Sequence, residues 1–348
     1  MILPMPIYQI TSAADIKLIE RINTTLPWWL FDRIPQGFAG RVYAKKIAII
    51  HPELPSNLTD WSDEVVLRVL ERHPIDAIGN LLLGETDLIR YQSAKNNLIS
   101  ISELPVLAKR SEEVCSTLIS GEQPKFCCNL NNYGSCIVKY AQTPRAIDLL
   151  IAEHTALSVL NDAGIASATS MLIRNNDYQF LVIHRFDCIG ETGRRGLVSL
   201  KALDLEFVGS RDQRWPFIAD KLAKNGVIDT EQLQIIKLLF CFGRLIANTD
   251  MHSGNLSFFN DDVNIRPYVL APAYDMLPMA FLSEGTSELT SLIVDSDLPN
   301  ETWMESFKLA VHYWQILITQ PDLSYSFQHI AEKMNEYLQN IVYPKISE

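Results

Sequence analysis

Apolar positions along the chain recur mostly at helical spacing. Val65, Val66, Val69 and Leu70 fall on one face of a predicted helix over residues 61–72, which Asp60 can cap and Pro74 ends. Residues 1–90 otherwise read as a cap of short helices and loops. Leu26 to Arg41 is rich in aromatics (Trp28, Trp29, Phe31, Phe38) and punctuated by Pro35, Gly37 and Gly40. That stretch is either a docking loop or a core anchor.

The pattern changes after residue 115. A turn-rich stretch, Thr117 to Lys125, adjoins the β-prone runs Phe126–Leu130 and Ser135–Tyr140, with Asn131–Asn132–Tyr133–Gly134 as their hairpin turn. A helix follows. Thr143 suits its cap and Pro144 its first position, Ile147, Leu150, Ile151, His154 and Leu157 mark one face, and Gly164 stops it. Tyr178 to Ile183 is a strand bounded by the turn Asn175–Asn176–Asp177. Helical periodicity then dominates over residues 231–248, 303–319 and 326–342, interrupted by an irregular patch from Asn248 to Met279. Strands in the first half and helices in the second predict an α+β chain in two lobes, with a boundary near 185–190.

Composition narrows the class. At 348 residues, 47% of them hydrophobic and 20% charged, the chain can bury a substantial core, which argues against disorder. Thirty basic against 41 acidic residues leave a net charge of −11, a poor basis for gripping a nucleic-acid backbone, so direct DNA binding is not expected. No apolar run approaches a membrane span, and the first residues lack the basic head and long apolar run of a signal peptide. Six cysteines without a Cys-x-x-Cys pair read as buried free thiols in a reducing cytoplasm.

The irregular patch carries the chemistry. Asn248–Thr249–Asp250–Met251–His252–Ser253–Gly254–Asn255 leads into a predicted hairpin, Asn255–Phe259 with Pro267–Pro272, whose turn holds Asn260, Asp261 and Asp262. Pairing around that turn would bring Asn255 and Asp275 to the same open end, one short loop from Asp250. Two carboxylates and an amide are hard oxygen donors, suited to Mg²⁺ rather than Zn²⁺. In phosphoryl transfer to a hydroxyl, one carboxylate orients the nucleophile and accepts its proton, while an Asn and a second Asp hold the metal. Asp250, Asn255 and Asp275 fit those roles in that order.

Thr249 to Asn255, followed by Ala273–Tyr274–Asp275–Met276–Leu277, resembles the catalytic and metal-binding loops of HipA-family serine/threonine kinases, the toxins of bacterial toxin–antitoxin pairs. Ile119 to Lys125 resembles their phosphate-covering loop, Ile137–Val138–Lys139 the strand bearing the ATP lysine, and Ile183 to Asp187 the adenine-contacting hinge. These motifs keep the family's order over roughly residues 110–280. The resemblance implies a two-lobed protein-kinase-like fold: residues 1–185 as the N-terminal lobe (1–100 a cap subdomain, 101–185 the ATP-covering sheet and loop) and 186–348 as a helical C-terminal lobe, with ATP between them. It also implies residue roles. Lys139 would contact the phosphates. Glu153 would be its acidic partner, or else a solvated surface residue. Backbone groups of His184 and Phe186 would meet the adenine, with Asp187 near the ribose. Gly121 and its neighbouring amides would lie over the phosphates, Lys125 adding charge. His252 would assist the chemistry or prop the loop. Ser120 is a turn serine or an autophosphorylation site, where phosphate would oppose ATP binding.

Gly193 to Leu200 and Ala202 to Gly209 resemble the YjjJ-like branch of the family, without the N-terminal DNA-binding segment common there. Arg194, Arg195, Arg211 and Arg214 form either a basic rim for a substrate or a solvated loop. The resulting expectation is a cytoplasmic, ATP- and Mg²⁺-dependent serine/threonine protein kinase. Its substrate class would be a translation component such as an aminoacyl-tRNA synthetase, and its partner a helix-turn-helix antitoxin. A pseudokinase that holds nucleotide without transfer, and a small-molecule phosphotransferase, stand as alternatives.

Overall fold

The first strands lie where short helices and loops are expected. β1 (Met5–Ile10) pairs antiparallel with β2 (Ile16–Ile22), and a third strand, Leu81–Leu83, completes the order β2-β1-β3. The computed structural model in which this is seen describes residues 4–23, 25–93, 98–113, 124–282 and 297–347. Period-two alternation is weak because central β1 buries four of its six residues, while edge strand β2 leaves Leu18 and Ile19 exposed. The Thr11 hydroxyl accepts the Asp15 N–H across their turn at 3.1 Å.

The aromatic stretch resolves as a core anchor. Trp28–Arg33 forms a 3₁₀ turn whose Trp29 and Leu30 join Ile7, Leu70 and Leu83 in one core. It leads into α1 (Gly37–Ile50), a helix hidden from sequence reading by its glycines. Gly40 is one of them for a steric reason: a Cβ there would lie 2.7 Å from the Pro35 carbonyl carbon. α2 (Asp63–Arg72) matches the predicted helix, but its cap is Ser62, which accepts the Val65 N–H, and not Asp60, which ends a preceding 3₁₀ turn. β3 (Leu81–Leu83) and α3 (Gly84–Ser93) follow.

β4 (Leu98–Ile99) and α4 (Leu104–Glu113) precede the predicted hairpin, β5 (Lys125–Leu130) with β6 (Gly134–Ala141); β4 lies parallel to β5 on its other side. Its turn uses Asn132 at φ 64° and Gly134 at φ 86°, the left-handed conformation that Asn tolerates and Gly adopts freely.

The predicted long helix is α5 (Pro144–Asp162), with Gly164 at φ 79° ending it and the Ile165 N–H reaching back to the Leu160 carbonyl. β7 (Ser170–Asn175) and β8 (Tyr178–His184) turn at Asn176, φ 54°. Then come α6 (Leu200–Phe207), α7 (Trp215–Lys224), α8 (Thr230–Leu245), α9 (Asn300–Thr319) and α10 (Tyr325–Tyr337). α8 and α9 pack through fully buried residues. The Ser306 hydroxyl donates to the Leu238 carbonyl, and the Trp314 indole N–H to that of Leu245. The Trp314 bond satisfies a last-turn carbonyl that α8 cannot pair internally, at the point from which the irregular patch departs.

The chain divides into two compact units. One comprises residues 1–139, 184–198 and 259–264; the other comprises 140–183, 199–258 and 265–348. The α+β class holds, with the long helices in the second unit. Among the described residues no helix is long and apolar enough to cross a membrane, and five cysteines are free thiols. Burial pushes Cys127 and Cys136 up to about 12, so these are packing residues rather than nucleophiles.

Candidate active site

In the first unit, hairpin register decides where the two lysines lie. Lys125 stands directly opposite Lys139 in the antiparallel pair, so both side chains leave the same face of the sheet. Like charges so placed repel, and an anion against that face would relieve the repulsion. Lys139 is buried, Lys125 half-buried, and both have further interactions. Ser120 and Gly121 lie outside the described residues.

The hinge segment runs beside β6, the Arg185 N–H donating to the Ser135 carbonyl at 2.9 Å. The half-buried ring of His184 meets Tyr133 edge-on, and Phe186 meets Phe259 the same way. Asp187 has a different environment. It is 2% exposed and takes a two-pronged contact from Arg185, Nε to Oδ1 at 3.0 Å and Nη2 to Oδ2 at 2.6 Å; Oδ2 also accepts the Gly79 N–H at 2.8 Å. Arg185 extends to the Asp76 carboxylate and the Ala77 carbonyl. Burial alone would push the Asp187 carboxyl up; Arg185 and Gly79 outweigh it and hold it below the usual range. Both Asp187 oxygens are therefore occupied in tying the hinge to the 76–79 loop, which leaves little for a ribose.

The second unit holds the irregular patch. Just past α8, Ala247 takes φ 61°, and the Asn248 N–H closes back on the Gly243 carbonyl at 2.9 Å. Asn248 is buried, and its amide joins two loops. Oδ1 accepts the Asp250 N–H at 3.0 Å, and Nδ2 donates to the Asp275 carbonyl at 3.1 Å. The Asn255 amide donates to the Asp250 carbonyl at 2.8 Å, so its nitrogen is used and its oxygen is available as a ligand. Asn248 thus links the backbones of Asp250 and Asp275, and the Asn255 side chain closes on the backbone of Asp250. Asp275 sits at φ 53°, a strained conformation that Asp tolerates better than most residues. The Asp250 side chain is 54% exposed.

The supports are equally specific. The His252 ring accepts the Gly254 N–H at Nδ1, and its carbonyl accepts the indole N–H of buried Trp215. Those are the bonds of a prop; Nε2 lies 3.9 Å from Asp250 Oδ1. The hairpin forms with shorter strands than predicted, Ser257–Phe259 and Val269–Leu270, and the Ala271 N–H pairs with the Ser257 carbonyl. The Tyr274 hydroxyl contacts Ser257 Oγ at 2.7 Å and the Gly254 carbonyl at 3.1 Å, joining both ends of the patch. Glu153 is completely buried on α5, which excludes the solvated-surface reading. Asn248 was not singled out by sequence reading. Its only signal is an amide immediately after a long apolar helix, where a polar residue has to satisfy backbone groups.

Among the described residues no three His, Cys, Asp or Glu side chains cluster as a metal cage. One amide oxygen and one carboxylate fit Mg²⁺, which keeps several waters and takes other ligands from phosphates.

Strands carrying a buried lysine, joined to a helical region with this Asp/Asn/Asp patch, make up a kinase-type α+β fold. The comparisons give it a family. Residues 117–341 match the HipA-like C-terminal domain and residues 5–92 the YjjJ-like toxin middle domain. The chain belongs to the HipA-like toxin family. It is 33% identical to Toxin YjjJ of Escherichia coli strain K12 over 345 residues, covering 91% of this chain and 75% of that protein. Its fold is similar to that of the HipA toxin–antitoxin system of Shewanella oneidensis MR-1, solved as a complex of HipA, HipB and operator DNA. The TM-score is 0.56 at 16% identity, over 89% of this chain and 83% of the other.

Proposed function

We propose that the protein is an ATP- and Mg²⁺-dependent serine/threonine protein kinase. The observation that carries this is the Asn248 amide, which holds the Asp250 and Asp275 backbones together while Asn255 closes on Asp250. A surface turn would not need a buried amide to register two separate loops. In this reading the Asp250 carboxylate accepts the proton of a Ser or Thr hydroxyl. The hydroxyl oxygen bonds to the γ-phosphorus, the bond to the β–γ bridging oxygen breaks, and ADP leaves. The Asn255 oxygen and Asp275 carboxylate would hold Mg²⁺, which neutralises phosphate charge. Lys125 and Lys139, opposed on one sheet face, would meet the phosphates, with Glu153 balancing the lysine charge. Asp187 is reassigned from ribose contact to positioning the hinge.

Family membership supports a translation component, such as an aminoacyl-tRNA synthetase, as the substrate class, and a helix-turn-helix antitoxin as partner. Ser120 autophosphorylation remains part of the proposal; mass spectrometry of active protein should find phosphate there. Incubation with γ-labelled ATP, with and without Mg²⁺, against candidate proteins and small molecules tests the whole reading. Mg²⁺-dependent label on Ser or Thr of a protein is expected. Nucleotide binding without transfer would favour the pseudokinase, and label only on small molecules the small-molecule phosphotransferase.

A further inference from the structure

Away from those residues, the first unit contains a cavity of about 490 Å³ whose wall carries polar groups without partners. It is bounded by β1, β2, the 3₁₀ turn, the 78–81 loop and the 260–264 turn. Arg33 is 7% exposed; one of its terminal nitrogens donates to Asp87 at 3.4 Å, and its Nε has no partner. Asn260 is 6% exposed, and its Oδ1 has none. Asn80, also buried, makes no side-chain hydrogen bond with the described residues.

A buried polar group left unpaired costs about 1–3 kcal/mol, and native chains rarely tolerate one without a reason. Two orphaned groups beside one hollow, with the Asn80 carboxamide also lining it, point to a molecule that enters and completes the set. We propose that this cavity binds an uncharged purine or pyrimidine, as the free base or nucleoside.

Three features of the wall select that class. The Asn80 and Asn260 carboxamides in the wall offer both donors and acceptors, the complement of a heterocycle edge that alternates carbonyl and N–H. The Trp29 indole, itself in the wall, supplies an aromatic surface for a planar ring. Glu20, Asp32 and Asp262 also line the cavity; their carboxylates accept from ribose hydroxyls and exocyclic amines but repel a phosphate. The volume exceeds what a nucleoside needs. The wall includes Gly79, whose N–H is held by Asp187, so the pocket shares a loop with the hinge segment.

Equilibrium dialysis of the full chain tests this. The probes are adenine, adenosine, guanosine, cytidine and uridine, their 5′-monophosphates, and tetra-alanine amide. All are offered with a saturating non-hydrolysable ATP analogue, so that binding at a kinase site does not register. At least one base or nucleoside should bind with a Kd below about 1 mM, and its monophosphate at least about tenfold more weakly. Asn260→Leu and Asn80→Leu should each weaken binding by about tenfold or more. Asn260→Leu should also leave Tm unchanged or raised, because it removes an unpaired buried group. The proposal is overturned if no base or nucleoside binds, if monophosphates bind equally well, if only the peptide binds, or if binding survives in both variants.

Discussion

Asp187 and Asp250 stand out equally in the sequence and have opposite environments. Asp187 is 2% exposed, with both oxygens spent on Arg185 and Gly79. The Asp250 side chain is 54% exposed, while its backbone is held at N–H and carbonyl by Asn248 and Asn255. The first is a carboxylate consumed by structure. The second is a fixed backbone whose side chain is more than half exposed, the setting that the proposed role of proton acceptor calls for. The difference lies in burial and in what holds each backbone, and no motif records it.

The contrast can be broken most severely at Asp187. Asp187→Ala leaves Arg185 buried with only the peripheral Asp76 and a carbonyl, and should cost about 3–5 kcal/mol of stability, read as a shift in denaturant midpoint. A loss below about 1 kcal/mol would mean that the pair is not structural. Asn248→Ala comes next. It removes both bonds that register the two loops, and transfer should fall by about 100-fold with a stability loss of about 1–3 kcal/mol. If rate and stability fall together in Asn248→Ala but only stability falls in a comparable core variant, registration of the loops is the cause.

Smaller effects sharpen the picture. Lys125→Ala should raise KM for ATP by less than about tenfold and leave kcat nearly unchanged, since a half-buried cation contributes mainly to ground-state binding. A large fall in kcat would instead place Lys125 in the reaction itself. The smallest effect is one of pH. His51 and His73 share a hydrogen bond, Nε2 to Nε2 at 2.7 Å, at the ends of α1 and α2. Burial, with His51 and Arg72 nearby, pushes the His73 imidazole below its ordinary value. A depressed folded-state pKa favours the neutral ring in the native protein. The resulting stability is present above the unfolded value of about 6.5 and is lost as pH falls through the folded one. Tm should therefore decline slightly below about pH 6.5, with a shallower decline in His73→Gln.

The strongly periodic and punctuated elements were legible. α5 ends at a glycine, α8 repeats apolar residues around one face, and the β5–β6 hairpin has its Asn and Gly turn. Asp250, Asn255 and Asp275 were legible because two short polar motifs flank one hairpin. The β1–β2 pair was not, since a strand buried along most of its length and a strand exposed along most of its length both lose the alternation that reveals strands. α1 was obscured by Gly40, present because Pro35 approaches too closely for a Cβ. Asn248 and the tie from Asp187 to Gly79 depend on long-range partners, 27 residues away for one and 108 for the other, beyond the reach of local patterns.

The most direct measurement compares Asp250→Asn with wild type for ATP affinity, Tm and transfer of labelled phosphate to a protein hydroxyl. Asn keeps the shape and the backbone bonds but cannot accept the proton. The account predicts unchanged Tm, ATP affinity within about threefold, and transfer reduced by about 10³-fold. Transfer at the wild-type rate, with folding and ATP binding intact, would contradict it.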